Sequence, residues 1–215
     1  MIENCGICLE ISGKGNPEFG DIYCELIKSR GNIILESASF LVIPSFGPLN
    51  YSHVMLVPKR HVNSFAQLSD FEINEGFKVL GFLKNHILNT RGETLVFFES
   101  GAGTTISHSG GCIVHAHIHC VVDSKIFDER LRSEIKLEPV ITGDYSGASI
   151  DAGYVWYRDA QDNSYICNSP MLPSQFLRYI YAQSCGSSSA WNWRRDINIS
   201  GVLTVLKEYE GINAA

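Results

Sequence analysis

The sequence of 215 residues lacks any long hydrophobic run: no stretch approaches the roughly 18 uninterrupted apolar residues that a membrane-spanning helix needs. Basic residues are also few, since 17 lysines and arginines stand against 23 aspartates and glutamates, and the formal net charge is −6. This charge argues against a broad electrostatic surface for duplex nucleic acid, although a local basic cluster could still bind a small phosphate ligand. The composition therefore predicts no membrane partner and no duplex nucleic acid partner.

Cysteine is sparse and odd in number, with seven residues in the chain. The first residues, Met1 to Cys5, show neither the basic segment nor the apolar segment of a secretory signal. Because an exported disulfide framework would need such a signal, we expect free thiols or metal ligands instead. The expected location is the reducing cytoplasm.

Up to about residue 124, the hydrophobic pattern predicts an antiparallel sheet with one long helix across it. Ser69 and Glu72 have the S-x-x-E spacing of a capping box, so the helix should begin there and end near Gly92. The turn-like residues 30–32 should join the first two strands into a hairpin. The strand-like segments are residues 21–28, 33–43, 53–57, 94–99 and 113–122.

For residues 125–215 we expect an extension packed on the core formed by residues 1–124, because the apolar content of this segment is low for an independent domain. A turn at Asp162 and Asn163 should join two strand-like segments into one hairpin. Short helices are expected near residues 127–137, 173–184 and 202–209. The expected fold class is α+β: an antiparallel sheet with one long helix across it, plus a C-terminal extension with a hairpin and short helices.

Three histidines alternate with other residues at His115, His117 and His119. Side chains at i, i+2 and i+4 of a strand share a face, so the three imidazoles should line one side and the intervening residues the other. At about 3.3 Å per residue the outer two would lie roughly 13 Å apart, whereas zinc binds nitrogen at about 2 Å, so one ion cannot hold all three. The three histidines should therefore have different roles, unless they are structural histidines that form hydrogen bonds to backbone carbonyls at a sheet edge.

A metal site is predicted by Cys5 and Cys8, whose C-x2-C spacing lets two thiolates bind one ion. A closed tetrahedral zinc site needs two further ligands, and His61 and His115 are the best-placed candidates. The alternatives are a redox pair or two idle cysteines. A different kind of metal site would use His115 and His117 as an H-x-H chelate with an open position for catalysis.

Taken together, these motifs resemble the zinc-containing branch of the histidine-triad (HIT) superfamily of nucleotide hydrolases and transferases, related to enzymes like galactose-1-phosphate uridylyltransferase. The resemblance covers about residues 1–123, and the motifs follow the family order: Cys5-x-x-Cys8, Ser52-His53-x4-Pro58-Lys59-Arg60-His61, a long helix, a small-residue loop and His115-x-His117-x-His119. It implies an enzyme that forms a covalent nucleotidyl-histidine intermediate on a nucleotide conjugate or dinucleoside polyphosphate. It also implies a structural zinc ion on Cys5, Cys8, His61 and His115, and a homodimer.

The resemblance implies a role for each matching residue. His117 corresponds to the nucleophile, and His119 to the residue that binds phosphoryl oxygens or the leaving group. His53 is expected to be structural. The loop before the triad would bind the phosphate through backbone N–H groups and side chains, and its candidate residues are Ser107, Ser109, Gly110, Gly111 and Cys112.

Three further residues are candidates for substrate binding. Glu99 precedes the small-residue loop and either faces the ligand or has a structural role. Gln175 and Arg178 are three residues apart on one face of a predicted helix, so both could reach a phosphate. A non-catalytic nucleotide-binding module with the same pocket is the alternative to an enzyme.

Overall fold

The computed structural model describes residues 5–16, 19–104, 115–142, 144–168, 170–186 and 191–212. Within these ranges the strands are β1 (Leu35–Glu36), β2 (Phe40–Pro44), β3 (Val54–Pro58), β4 (Leu95–Gly101), β5 (Ile118–Val122), β6 (Glu138–Val140), β7 (Tyr154–Arg158) and β8 (Ser164–Asn168). They form one sheet in the order β1-β2-β3-β5-β4-β7-β8-β6, and every neighbouring pair is antiparallel. The helices are α1 (Gly6–Ile11), α2 (Asp21–Ser29), α3 (Asp70–Arg91), α4 (Lys125–Glu134), α5 (Phe176–Ser184) and α6 (Ile199–Glu208). The predicted α+β class is confirmed.

The long helix α3 begins and ends as its sequence predicts. The Glu72 N–H donates to Ser69 Oγ at 3.3 Å, and the Ser69 N–H donates to the Glu72 carboxylate at 2.8 Å, which completes the capping box. Gly92 ends the helix with φ of 70°, a conformation that glycine adopts without strain. Neither α3 nor any other helix in the described ranges combines the length and the apolar composition needed to cross a membrane.

The prediction of a first strand at residues 21–28 is wrong, because this segment is helix α2. Tyr23 and Ile27 are four residues apart and form its buried face, and a short apolar run of this kind does not distinguish a helix from a strand. Arg30 ends the helix in the left-handed conformation, where the turn of a hairpin was expected. The first hairpin instead joins β1 and β2, so the single strand expected at residues 33–43 is divided in two.

The two faces of the sheet are covered by different helices. On β5, Ile118 and Cys120 belong to the core that packs against α3, as their alternation predicts, whereas Val121 packs with residues of α4 and α5 on the other face. The C-terminal part continues the same sheet, because β7 pairs with β4 along five residues and with β8 in the predicted hairpin. The division at residue 124 into a core and an extension stays a prediction.

Candidate active site and metal centre

Four side chains from three segments meet beside the sheet. Cys5 caps α1 and its Sγ accepts the Cys8 N–H at 3.4 Å, so one short helix holds both thiols. His61 lies three residues after β3 and His115 three residues before β5, and the pairing of these strands brings the two rings to 4.9 Å. The ligand atoms of all four residues lie within 4.8 Å of one another. The structure thus places the predicted metal ligands together.

The distances in this Cys/His cluster fit a tetrahedral zinc ion. Cys8 Sγ is 3.3 Å from His61 Nδ1 and 3.4 Å from His115 Nδ1, and Cys5 Sγ is 3.5 Å from His115 Nδ1. Zinc bonds of about 2.3 Å to sulfur and about 2.0–2.1 Å to nitrogen place such atoms about 3.6 Å apart. His115 donates its Nε2–H to the Pro58 carbonyl at 2.9 Å, which leaves Nδ1 free to bind a metal. Burial lowers the pKa of His115 to about 4, so its ring is neutral at pH 7.

The strand expected to carry all three histidines begins only at Ile118, so the prediction of one continuous strand is wrong at its start. The Ala116 N–H donates to a carbonyl in the segment after β3, at 2.7 Å, instead of joining the ladder of the sheet. Because the backbone departs from the strand there, His115 joins the Cys/His cluster. The rings of His117 and His119 contact each other, with their centres 4.9 Å apart.

His117 is half-buried, and its Nδ1 lies 2.7 Å from the backbone carbonyl of His115. A carbonyl oxygen only accepts, so Nδ1 carries the proton and donates it. In a neutral imidazole the other nitrogen, Nε2, then holds a lone pair. Burial lowers the pKa of His117, and the nearby charge of Arg178 lowers it further, which favours the neutral ring.

His53 determines which nitrogen of His119 is protonated. The Leu49 N–H donates to His53 Nδ1 at 3.0 Å, so the neutral ring of His53 carries its proton on Nε2. That nitrogen lies 2.9 Å from His119 Nδ1 and donates to it, which leaves the His119 proton on Nε2. Burial holds the pKa of both histidines well below the ordinary value. The sequence predicts only a structural role for His53; the register that places Met55 opposite His119 is what brings the two rings together.

His117 and His119 line one pocket, and both parts of the chain form its walls. The core part contributes Ser45, Phe46, Met55, Ser100 and Gly101. The C-terminal part contributes the polar side chains Gln175 and Arg178 and the largely apolar group Tyr154, Pro170, Leu172, Pro173, Phe176, Leu177 and Trp193. No carboxylate is among these described lining residues. The pocket is therefore mainly apolar, with imidazole, guanidinium, hydroxyl and amide groups as its polar features.

Arg178 links α5 to the loop that follows β2. Its guanidinium donates to Ser45 Oγ at 2.9 Å and to the carbonyls of Phe46 at 3.2 Å and Gly47 at 2.6 Å. Its Nε–H donates to the Trp191 carbonyl at 2.9 Å. The side chain is only 3% exposed, and this burial lowers the pKa of Arg178 to about 9.

Glu99 does not line the pocket, so the expectation that it contacts the substrate needs correction. The alternation of β4 places Ser100 in the pocket wall and turns Glu99 into the interior, where it is 1% exposed. Its carboxylate accepts the Phe65 N–H at 2.9 Å and the Tyr154 hydroxyl at 2.8 Å. Burial raises the pKa of Glu99 to about 7. These contacts favour the structural alternative.

The other predicted substrate-binding residues divide into two sets. Gln175 lines the pocket, begins α5 in the left-handed conformation, and donates to the Asn192 side chain at 3.3 Å. Arg178 lines it as well. The five loop residues lie outside the described residues: Ser107, Ser109, Gly110, Gly111 and Cys112.

No family model matches the chain. Among curated proteins, it is similar to an uncharacterized HIT-like protein of Methanocaldococcus jannaschii, with 28% identity over 109 residues, which are 45% of this chain and 75% of that protein. A solved HIT family protein of Bacillus anthracis is 16% identical, over 57% of this chain and 74% of that one, with a TM-score of 0.42. A Zn-bound histidine triad family protein of Mycobacterium smegmatis is 16% identical, over 57% of this chain and 76% of that one, with a TM-score of 0.41. Both TM-scores lie below 0.5, so these two structures add nothing to the sequence similarity.

Proposed function

We propose that the chain, which is similar to a HIT-like protein, is a nucleotidyl hydrolase or nucleotidyltransferase that acts through a covalent intermediate on His117. One observation carries the proposal: the hydrogen bond from His117 Nδ1–H to the His115 carbonyl, which leaves the Nε2 lone pair of a pocket-lining ring available. A neutral imidazole is a good nucleophile near pH 7, and a covalent intermediate divides one difficult displacement into two easier steps.

In the first step, Nε2 of His117 forms a bond to the α-phosphorus of a nucleotide, and the bond from that phosphorus to the leaving group breaks. The His115 carbonyl stabilises the positive charge that the ring acquires, and His119 offers its Nε2–H to a phosphoryl or leaving-group oxygen. In the second step, an oxygen of the acceptor attacks the phosphorus, the bond to His117 breaks, and Nε2 regains its lone pair; a water acceptor releases one proton to the solvent. Water as the acceptor gives hydrolysis, whereas phosphate or a sugar phosphate gives transfer.

The substrate in this proposal is a small nucleotide conjugate or a dinucleoside polyphosphate. The loop residues Ser107 to Cys112 would contribute N–H groups to its phosphate. A zinc ion on Cys5, Cys8, His61 and His115 would have four protein ligands and no open position, so it would stabilise the fold and would not activate water. The homodimer, the cytoplasmic location and the relation to uridylyltransferase-like enzymes stay predictions.

A catalytic metal on His115 and His117 has less support than this closed site. Nδ1 of His115 faces the thiols, and its Nε2–H donates a hydrogen bond to the Pro58 carbonyl. Nδ1–H of His117 donates a hydrogen bond to the His115 carbonyl. The two rings therefore have no pair of nitrogens left that converge on one ion. In the described part of the chain, the Cys/His cluster is the group that could hold a metal.

The test is transfer of label from nucleotides that carry a radioactive α-phosphate, across adenosine, guanosine and uridine conjugates. We expect acid-labile label on the wild-type protein and none on His117→Ala. His86→Ala is the matched control and should be labelled like the wild type, since His86 lies on α3 and contacts the Glu208 carbonyl instead of the pocket. Nucleotide binding without label on the wild-type protein would contradict the enzyme and identify the non-catalytic binding module.

A further inference from the structure

The turn between β2 and β3 holds the ring of His53 in place. The Leu49 N–H donates to His53 Nδ1 at 3.0 Å, and the His53 N–H donates to the Asn50 carbonyl at 3.3 Å. Oδ1 of Asn50 accepts the N–H and the hydroxyl of Ser52, at 3.0 and 2.9 Å. In such an Asx turn the side chain shapes the backbone around it. The side chain of Asn50 therefore helps to hold the Leu49 N–H against His53.

Tyr181, a residue of α5, connects this turn to the end of β5. Nδ2 of Asn50 donates to the Tyr181 hydroxyl at 2.7 Å, and this hydroxyl donates to the Val122 carbonyl at 2.7 Å. Because a carbonyl only accepts, the hydroxyl proton belongs to the bond with Val122, and the oxygen is free to accept from Asn50. The side chain of Tyr181 is only 1% exposed, so bulk water does not compete for these bonds.

The two segments that Tyr181 joins carry two contacting histidines. His53 directly precedes β3, and His119 lies in β5 three residues before Val122. His53 Nε2 and His119 Nδ1 are 2.9 Å apart. A hydrogen bond requires both a short distance and good alignment, so it depends on how firmly both segments are held. The hydroxyl of Tyr181 holds the two segments at one point, and it belongs to the C-terminal part of the chain.

We propose that Tyr181 is a positioning residue for the reaction at His117, because its hydroxyl keeps the proton of His119 on Nε2. This inference rests on the proposed function of His117. It assigns to the C-terminal part a role in the reaction that needs no contact with the substrate, since Tyr181 is not among the described residues that line the pocket.

Loss of the hydroxyl should act through the turn. Nδ2 of Asn50 would lose its acceptor, and the Leu49 N–H would no longer be held in one direction. The proton of His53 can then move to Nδ1, which turns Nε2 into an acceptor. His119 would respond by carrying its proton on Nδ1. Its Nε2 would then have no proton to offer to a phosphoryl or leaving-group oxygen.

The first test uses Tyr181→Phe, which removes only the hydroxyl. NMR of ¹⁵N-labelled histidine rings shows which nitrogen is protonated, and we expect one tautomer of His119 in the wild-type protein and two in the variant. Single-turnover labelling of His117 should slow about tenfold, as for loss of one buried hydrogen-bond partner, with an unchanged half-saturating nucleotide concentration. Tyr179→Phe, at a 40% exposed tyrosine of the same helix, is the matched control and should behave like the wild type.

A second variant, Asn50→Ala, removes the other partner of the hydroxyl and leaves Tyr181 in the core. It should produce the same second tautomer of His119 and a similar fall in rate. The double variant should be about as slow as the slower single variant, because both substitutions break one link. Zinc content and denaturant unfolding check that each variant is folded.

A single wild-type tautomer of His119 in both variants, or a wild-type rate of labelling in both, would overturn the inference and leave Tyr181 with a role in the fold alone. Label on the wild-type protein would still support the proposed function in that case. Absence of label on the wild-type protein would instead overturn the proposed function, and the NMR signals would still decide whether Tyr181 sets the tautomer of His119.

Discussion

His115 and His117 are two residues apart, yet each directs a different ring nitrogen to its proposed task. In the Cys/His cluster, His61 and His115 present Nδ1 to the thiols, and the Pro58 carbonyl binds Nε2 of His115. In the pocket, Nδ1 of His117 is bonded to a carbonyl, so Nε2 is the nitrogen left for the substrate. The residue type is the same in both groups, and the backbone acceptor beside each ring decides which nitrogen is available.

The pocket histidines also differ from the cluster in how they depend on distant parts of the chain. The cluster needs two thiols on one helix and two rings beside paired strands. The Leu49 N–H fixes the protonated nitrogen of His53, and His53 in turn fixes the protonated nitrogen of His119. All three groups are neutral. Mutations in the cluster should therefore affect mainly stability, and mutations in the pocket mainly catalysis.

The largest expected effect is on stability, from Cys8→Ser. Loss of one thiolate should abolish zinc retention and lower the free energy of unfolding by at least about 4 kcal/mol, because metal binding to a structural site is coupled to folding. Metal content and denaturant unfolding measure this effect. Cys185→Ser, at an exposed thiol, is the matched control, and His117→Ala should keep its zinc. Full zinc content in Cys8→Ser would remove the distinction between the two groups.

A smaller effect, on rate alone, is expected at His53. His53→Leu removes the donor to His119 Nδ1 and should slow the labelling of His117 by about 100-fold, as loss of a tautomer-fixing partner does. His53→Gln places an amide N–H near the position of Nε2 and should recover about tenfold of this loss. Single-turnover labelling measures both rates, with zinc content as a check on folding. Identical rates in the two variants would show that His53 only fills space.

The smallest effect concerns Glu99, which belongs to neither group. Its pKa of about 7 lies above the usual value of 4.5, so the folded state binds more protons than the unfolded state between these values. Stability from this group is therefore present below about pH 4.5 and is lost as the pH rises towards 7, by about 2 kcal/mol at most between pH 5 and 7.

Glu99→Gln should reduce that slope, since an amide does not titrate. The measurement is the free energy of unfolding of both proteins at pH 5, 6 and 7. An unchanged slope would indicate that the pH dependence arises elsewhere, for example at Glu10, whose pKa burial also raises to about 7.

The sequence predicts the parts of the molecule that depend on local spacing. The ends of α3 follow from Ser69, Glu72 and Gly92, because a capping box and a left-handed C-cap are determined by a few adjacent residues. The residues of the Cys/His cluster follow from two short motifs. The apolar residues of segment 21–28 fit the periods of both a strand and a helix, so the sequence does not distinguish the two there.

Features that depend on strand register or on contacts between distant segments were not predictable in this way. The contact of His53 with His119 follows from the pairing of β3 with β5, and 66 positions separate the two residues in the sequence. The spacing of Gln175 and Arg178 indicates one helical face but not the burial of the guanidinium, which depends on the loop after β2. The interior position of Glu99 likewise involves contacts with distant segments, because its carboxylate accepts the Phe65 N–H and the Tyr154 hydroxyl.

The ladder of five residue pairs between β4 and β7 has a consequence for truncated forms of the chain. If synthesis stopped at residue 124, β4 would become a terminal strand with a free row of backbone donors and acceptors, and Val96 and Phe98 would lose their cover. Such a fragment would tend to self-associate through the exposed edge of β4, whether or not it retained activity. Solubility screens of shortened chains should therefore keep β7 and β8, even where interest is confined to the amino-terminal half.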